Sequence, residues 1–393
     1  METLGVKNQK DNFEYGEPQA IEEAEKNEEV VEGPKLMRAI MIEALGQPLI
    51  VKQVPIPKLS SGQLLVKIEA VPINPSDLGF LNAFATFGED TPQRQIGFEG
   101  AGIVISSGGG LIARALVGKR VAFAAATHPG TWAEYAVCDT SSCFPLDKRI
   151  SSDVGACAIV NPFTALALVN VIKKEKHQAV VHTTGGSSLG RMIVKLLKKE
   201  GIKTINIIKQ ENHRGALDEI GADVVLNSEH INFDEDLKAQ ISTLNATCCL
   251  ECVCGETTHK ILKSLPPKSN CYVYGLLAED KLSANDFSDF LLHSKTIKAF
   301  NTFDWLHEQG FFKKLGLIRK VESMIKQEKR NDILRSFRFE EVNEAIKFYQ
   351  ENITLGKVLL KPDIFDDDND EGIEGEGELK SHLHEMSQDP AFV

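Results

Sequence analysis

The 393-residue sequence predicts an α/β protein with a β-rich first part and a doubly wound parallel sheet. Three observations lead there. Short apolar runs broken by Gly, Pro and Ser fill residues 38–138, strands and helices alternate regularly from residue 177, and a glycine-rich turn, "TTGGSSLG", heads that alternation. The length asks for two domains, and 42% hydrophobic residues supply their cores.

In chain order, "RAIMIEAL", "LIVKQVPIP" and "QLLVKIEAVPIN" are rich in Val, Ile and Leu and bounded by turn residues, as strands of a twisted β domain are. "GAGIVISS", "GKRVAFAAA" and "GTWAEYAVC" continue it, punctuated by glycines at 100–102 and 108–110. The character changes near residue 153, where "DVGACAIVNPFTALALVNVI" takes helical spacing after Asp153, a residue able to cap it. Five strands then alternate with helices: "HQAVVHTT", "KTINIIKQ", "ADVVLNS", "ATCCLECVC" and "SNCYVYGLL". Such alternation means βαβ units and a parallel sheet. A long helix, "GLIRKVESMIKQEKR", and the segment "FRFEEVNEAIKFYQENITLGKVLLKP" close the body.

Charge sits at the ends. Residues 1–36 carry a net −6 and residues 364–393 a net −9 of a formal −12, which leaves +3 for the body. The acidic, apolar-poor tail "DDDNDEGIEGEGELK" is not expected to fold alone; it is either a solvated segment or a docking segment for a basic partner. The body has no dense Lys/Arg stripe, so nucleic acid is not an expected partner. No apolar run reaches the length of a membrane span. The N-terminus lacks the apolar core of a secretory signal and is too acidic for a mitochondrial presequence. An intracellular protein is expected, cytoplasmic in the first instance, with mitochondria as the alternative. Eight cysteines in such a chain read as free thiols. Cys249 and Cys252 have C-x-x-C spacing, but they fall in an apolar strand with no second ligand pair, so no metal is expected.

The turn is the first candidate site. A dinucleotide-binding turn reads G-x-G-x-x-G, and here those positions hold Gly185, Ser187 and Gly190. Gly185 and Gly186 are expected to turn the chain, and Gly190 to let the helix pack on the sheet. Ser187 and Ser188 add hydroxyls that can donate to phosphate oxygens, and with Leu189 they open the helix whose N-terminal end is expected to face a pyrophosphate. After the second strand, Lys209 and Arg214 suit a 2′-phosphate and favour NADPH; Glu211 argues against it, and a solvated loop is the plain alternative.

"INPSDLGFL", "GFEGAGIV", "NPFTALALV", "GADVVLN", "YVYGLL" and "ITLGKVLLKP" stand in an order that resembles the medium-chain dehydrogenase/reductase superfamily, in its zinc-independent quinone oxidoreductase and 2-enoyl thioester reductase branch. The resemblance covers about residues 37–362. It implies a GroES-like β domain built from both chain ends with a Rossmann domain inserted. The boundaries are then an acidic extension 1–36, the first GroES-like part 37–165, the Rossmann domain 166–300, a return 301–362 and an acidic tail 363–393.

The same resemblance places Asn74, Asp77 and Thr164 at the catalytic end, although Asn74 in Asn-Pro-Ser-Asp is equally a turn residue and Asp77 equally a helix cap. It sets Tyr274, Gly275, Leu276, Phe300, Asn301 and Lys357 around the nicotinamide. Relatives that use zinc carry Cys and His-Glu where this chain has Ser76 and Phe98-Glu99. Hydride would then go to an acceptor already activated by conjugation: a quinone, an enone or an enoyl thioester. Enoyl reductases of the branch also carry a proton-donating tyrosine where "LNAFATFGED" has Phe84 and Phe87. The resemblance implies a homodimer. The missing tyrosine and the acidic tails suggest the second reading, an idle subunit of a larger complex.

Overall fold

The computed structural model describes residues 35–363 apart from 45–46, 87–93, 126–128, 278–286, 328–332 and 353–354. The chain opens with β1 (Leu36–Ile42), β2 (Ile50–Pro55) and β3 (Gln63–Pro72), and α1 (Pro75–Thr86) follows directly on β3. β4 (Arg94–Gln95), β5 (Glu99–Ser107), α2 (Leu111–Leu116), β6 (Arg120–Ala124), β7 (Tyr135–Asp139) and β8 (Cys143–Pro145) complete the first β region. β3 is its spine, pairing antiparallel with β5 and with β7. Seven of its ten residues are buried, a pattern expected of a strand covered on both faces. Trp132, fully buried, ties the core together by donating from its indole to the Pro72 carbonyl at 3.2 Å.

Two helices, α3 (Ser152–Ala156) and α4 (Val160–Lys174), stand where one was expected. Ser151, not Asp153, caps α3, its hydroxyl accepting from the Val154 amide. Asp153 instead pairs with Lys361 at 2.8 Å. The break falls at Cys157–Ile159 because Glu99 takes the amides of Ile159 and Val160, restarting the helix there.

Six parallel strands follow: β9 (Ala179–Thr183), β10 (Lys203–Ile208), β11 (Val224–Asn227), β12 (Cys248–Glu251), β13 (Asn270–Val273) and β14 (Thr296–Ala299). The helices between them are α5 (Ser188–Lys199), α6 (Arg214–Glu219), α7 (Phe233–Leu244), α8 (Glu256–Ser264) and α9 (Phe287–His293). Their order is β11-β10-β9-β12-β13-β14, the Rossmann arrangement. β9 is buried at all five residues and lies mid-sheet. β14 adds a sixth strand to the five expected. All four of its residues are exposed, so the edge strand carries no apolar pattern to betray it.

α10 (Thr302–His307), α11 (Phe311–Gln327), β15 (Ile333–Arg338), α12 (Val342–Glu351) and β16 (Lys357–Lys361) return the chain to the first region. β16 pairs antiparallel with β3 and parallel with β15, so both ends of the body share one seven-stranded sheet. The fold is thus a GroES-like β domain with a Rossmann sheet inserted, and the described residues form one compact unit.

Candidate active site

Strand order reverses between β9 and β12, and a crevice opens beyond their carboxyl ends. There the glycine turn leads into α5. Thr184 is the residue that turns, held in the left-handed region at φ 59°. Gly185 and Gly186 supply room: a Cβ on the first would come within 2.7 Å of the Asn206 side chain, and on the second within 2.9 Å of His213 Cβ. Gly190 is tighter. Its Cβ would lie 2.4 Å from the Thr184 carbonyl oxygen and 2.5 Å from that of Gly185, so what it admits is the turn's own backbone rather than the sheet. Ser187 caps α5, its Oγ accepting from the Gly190 amide at 3.0 Å. Arg191, unremarked in the sequence, closes the turn by donating to the Gly186 carbonyl at 2.6 Å.

Ser187, Ser188 and Leu189 line a cavity of about 210 Å³. Thr184, Cys252 and Tyr274–Leu277 form its Rossmann wall; Pro75, Ser76 and Gly79 of α1 face them. Asn161 and Thr164 of α4, with Tyr349, Gly356 and Lys357 from the returning chain, complete it. The small-residue turn, the capped helix N-terminus and the crossing of two domains fit a dinucleotide. Cys252 on the wall and His182 behind Tyr274 are chemically quiet. Burial pushes the Cys252 thiol up to about 11, and its sulfur lies 3.0 Å from Thr184 Oγ1. His182 shares a hydrogen bond of 2.8 Å with the Tyr274 hydroxyl, and burial drives its imidazole down to about 3.

Asn74 and Asp77 do not line the cavity; they lie fully buried behind it. Asp77 Oδ2 accepts from the Asn74 amide at 2.7 Å, as the third residue of a helix reaches back to its N-cap. The Asn74 side chain donates to Glu99 Oε1 at 2.8 Å and accepts from Lys357 Nζ. Glu99 Oε2 receives the Ile159 and Val160 amides, each at 2.9 Å. One ammonium thus faces two buried carboxyls. Burial first, then the nearby Glu99, raises Asp77 to about 7, against the pull of the Asn74 amide and Lys357.

A carboxyl that is harder to ionise folded than unfolded stabilises most when protonated. Stability should therefore fall as pH rises from about 4 to about 7 and level off above. Asp77→Asn should remove that slope, worth up to about 4 kcal/mol at full effect. Urea unfolding at pH 5 and pH 8 checks it: equal pH dependence in both proteins defeats the assignment.

The remaining expected residues divide. Thr164 lines the cavity while its hydroxyl bonds the Val160 carbonyl at 2.6 Å and Thr302 at 2.8 Å. Tyr274, Gly275, Leu276 and Lys357 line it too. Phe300 and Asn301 do not. Phe300 packs edge-on against Tyr272 at 6.3 Å, and Asn301 caps α10 by accepting from the Phe303 amide at 2.9 Å. Lys209 is exposed just past β10. Arg214 is held by Glu211 and by the Val225 carbonyl. The Phe87 position lies outside the described residues, as does the side chain of Phe84. Among the described residues no group of three or more His, Cys, Asp or Glu side chains is placed to hold a metal ion, and no helix is long and apolar enough to cross a membrane.

The Alcohol dehydrogenase GroES-like domain family matches residues 60–148, and the Zinc-binding dehydrogenase family matches residues 188–315. These two matches fall in turn on the β domain and on the Rossmann sheet. The chain belongs to the medium-chain dehydrogenase/reductase superfamily. Within it the chain falls in the zinc-independent quinone and enoyl reductase branch. A Caenorhabditis elegans relative named mitochondrial enoyl-[acyl-carrier-protein] reductase is 29% identical over 247 residues, 61% of this chain and 70% of that one. A solved structure from Mesorhizobium loti, assigned as an NADPH:quinone reductase, is 29% identical with a TM-score of 0.74, over 84% of this chain and 99% of that one. A mycobacterial protein solved in complex with NADPH shares the fold, at 22% identity and a TM-score of 0.71, over 83% of this chain and 100% of that one. Where the resemblance sets a zinc-binding His-Glu pair, this member of the superfamily has Phe98-Glu99. It retains the acid, Glu99, as a cap for α4.

Proposed function

We propose that this protein is an NADPH-dependent, zinc-independent oxidoreductase that transfers hydride to a quinone or to a conjugated carbonyl or enoyl acceptor. The observation that carries the reading is the single cavity wall shared by the capped N-terminus of α5, Pro75 and Ser76 at the start of α1, and Lys357. Ser187, Ser188 and Leu189 would hold the pyrophosphate, and Lys209 the 2′-phosphate. Thr164, Tyr274, Gly275, Leu276 and Lys357 would hold the nicotinamide end. Bound NADPH supplies the hydride. The chain's own residues then orient the acceptor and exclude water, since the walls at Val160 and Leu277 are apolar. The names of the relatives support both acceptor classes, and those of the enoyl reductases a mitochondrial site of action.

Titration of NADPH and NADH into the purified protein, followed by fluorescence and then by oxidation with benzoquinone and crotonyl-coenzyme A, tests the reading. NADPH is expected to bind at least about tenfold tighter, a margin within reach of one charge-assisted hydrogen bond. Glu211→Gln should widen that margin by freeing Arg214 and removing a nearby negative charge. Failure of both nucleotides to bind ends the proposal.

An idle subunit of a larger assembly is the second reading, favoured by the missing tyrosine in "LNAFATFGED" and by the acidic ends. It requires nucleotide binding without turnover. A homodimer, formed through the exposed edge of β14, goes with the enzyme reading; a monomer in light scattering goes with the second.

A further inference from the structure

Reduction of a conjugated acceptor poses a proton problem for this cavity. Hydride arriving at the β-carbon leaves an electron pair on the α-carbon and its carbonyl, and that pair needs a proton. Alcohols aside, four groups on the cavity wall carry a proton of useful acidity: Cys252, Tyr274, Tyr349 and Lys357.

Three of them are committed. The Cys252 sulfur is engaged with Thr184 Oγ1 at 3.0 Å. The Tyr274 hydroxyl is engaged with His182 at 2.8 Å, within the Rossmann core. Lys357 donates to Asn74 and faces both Asp77 and Glu99, so giving up its proton would leave two buried acids without a nearby cation. Tyr349 differs. It is 3% exposed and lines the cavity, yet its hydroxyl has no hydrogen-bond partner among the described residues.

The placement is rigid. Val342, Ala345 and Tyr349 form the buried stripe of α12, and the residue before Tyr349, Phe348, packs on Phe337 at 5.7 Å. The phenol lies within electrostatic reach of Asp77 on the β-domain side and of Cys252 on the Rossmann side, which sets it at the junction of the two. We propose that Tyr349 is the proton donor for reduction at this cavity, a catalytic phenol delivered from the C-terminal helix in place of the tyrosine missing after α1. The assignment rests on the oxidoreductase reading above.

The step balances. The β-carbon gains hydride, with NADPH oxidised to NADP⁺, and the π pair moves to the α-carbon. The Tyr349 O–H bond breaks as the α-carbon C–H bond forms, and the phenolate regains its proton from water. Burial and the neighbouring Asp77 hold the phenol well above its usual range, so it is protonated at any working pH.

Tyr349→Phe, which removes one oxygen from a packed ring, is the test in the full chain. NADPH affinity, read by fluorescence, should stay within about twofold, which also reports an intact fold. Turnover of crotonyl-coenzyme A should fall about 100-fold or more, the usual range for loss of a general acid. Benzoquinone turnover should fall no more than about threefold, because its oxyanions take protons from water. In D₂O the wild-type protein should place solvent deuterium on one face of the α-carbon and Y349F on both. Tyr349→His should restore part of the lost rate.

Full crotonyl-coenzyme A turnover by Y349F, or equal losses on both acceptors, overturns the assignment. So does loss of NADPH affinity in step with the rate. A wild-type protein that reduces quinone alone also overturns it and leaves the oxidoreductase reading standing. A wild-type protein inert with both acceptors removes that reading and this one together.

Discussion

Glu99→Ala should destabilise the protein by about 3–5 kcal/mol, the scale seen when one member of a buried charged network is deleted. The reason is the number of partners left behind. Glu99 takes the Asn74 side-chain amide and the Ile159 amide in buried bonds, and the Val160 amide in a partly buried one. Alanine would strand those three donors. It would also leave Lys357 with Asp77 as its only nearby buried carboxyl. Each unsatisfied buried donor costs about 1–3 kcal/mol, so three of them account for the total with room for partial relaxation. Because α4 restarts at those amides, Asn161 and Thr164 on the cavity wall should shift with it. Glu99→Gln keeps the acceptor oxygen and should cost less. Urea denaturation measures both, and an alanine variant within about 1 kcal/mol of the wild type would refute the network.

Gly190→Ala should raise the dissociation constant for NADPH at least about tenfold, the equivalent of about 1.4 kcal/mol. Its new Cβ meets the carbonyl oxygens of Thr184 and Gly185, at 2.4 and 2.5 Å. Those are backbone atoms of the turn itself and cannot swing aside as a side chain would. Either α5 retreats from the turn or the turn opens, and both move the amides that would face the pyrophosphate. The Ser187 cap depends on the same geometry, since it is the Gly190 amide that donates to it. Gly185→Ala is the control. Its contacts are with the Asn206 side chain, so a milder loss is expected. Fluorescence titration of the three proteins decides, and equal affinity for G190A and wild type removes the turn from the cofactor site.

Much of the architecture was legible because local chemistry and tertiary environment agree in it. Strands such as β9 are buried on both faces and must be apolar throughout, while α5 shows one face to the core through Met192, Ile193 and Leu197. Where the environment imposes no pattern, no signal exists. β14 is exposed at every residue, and "TIKA" says nothing of its place in a sheet. The helix predicted across residues 153–172 is continuous in periodicity, yet Glu99, about 60 positions upstream, interrupts it. Phe300 and Asn301 fall near the site in sequence pattern, but one serves packing and the other a helix cap.

By itself the sequence determined the β-rich first part, the alternation of strands and helices after it and the place of the glycine-rich turn ahead of α5, because each rests on residue type and on neighbours a few positions away. The tertiary structure alone decided which buried charges meet and which side chains share the cavity. Asn74 and Lys357 stand 283 positions apart and meet only because β16 returns to pair with β3. Tyr349 looks in sequence like one more apolar position on a helix. It reaches the cavity because α12 packs under that returning strand. Contacts made through chain return depend on the whole fold, and local periodicity carries no record of them.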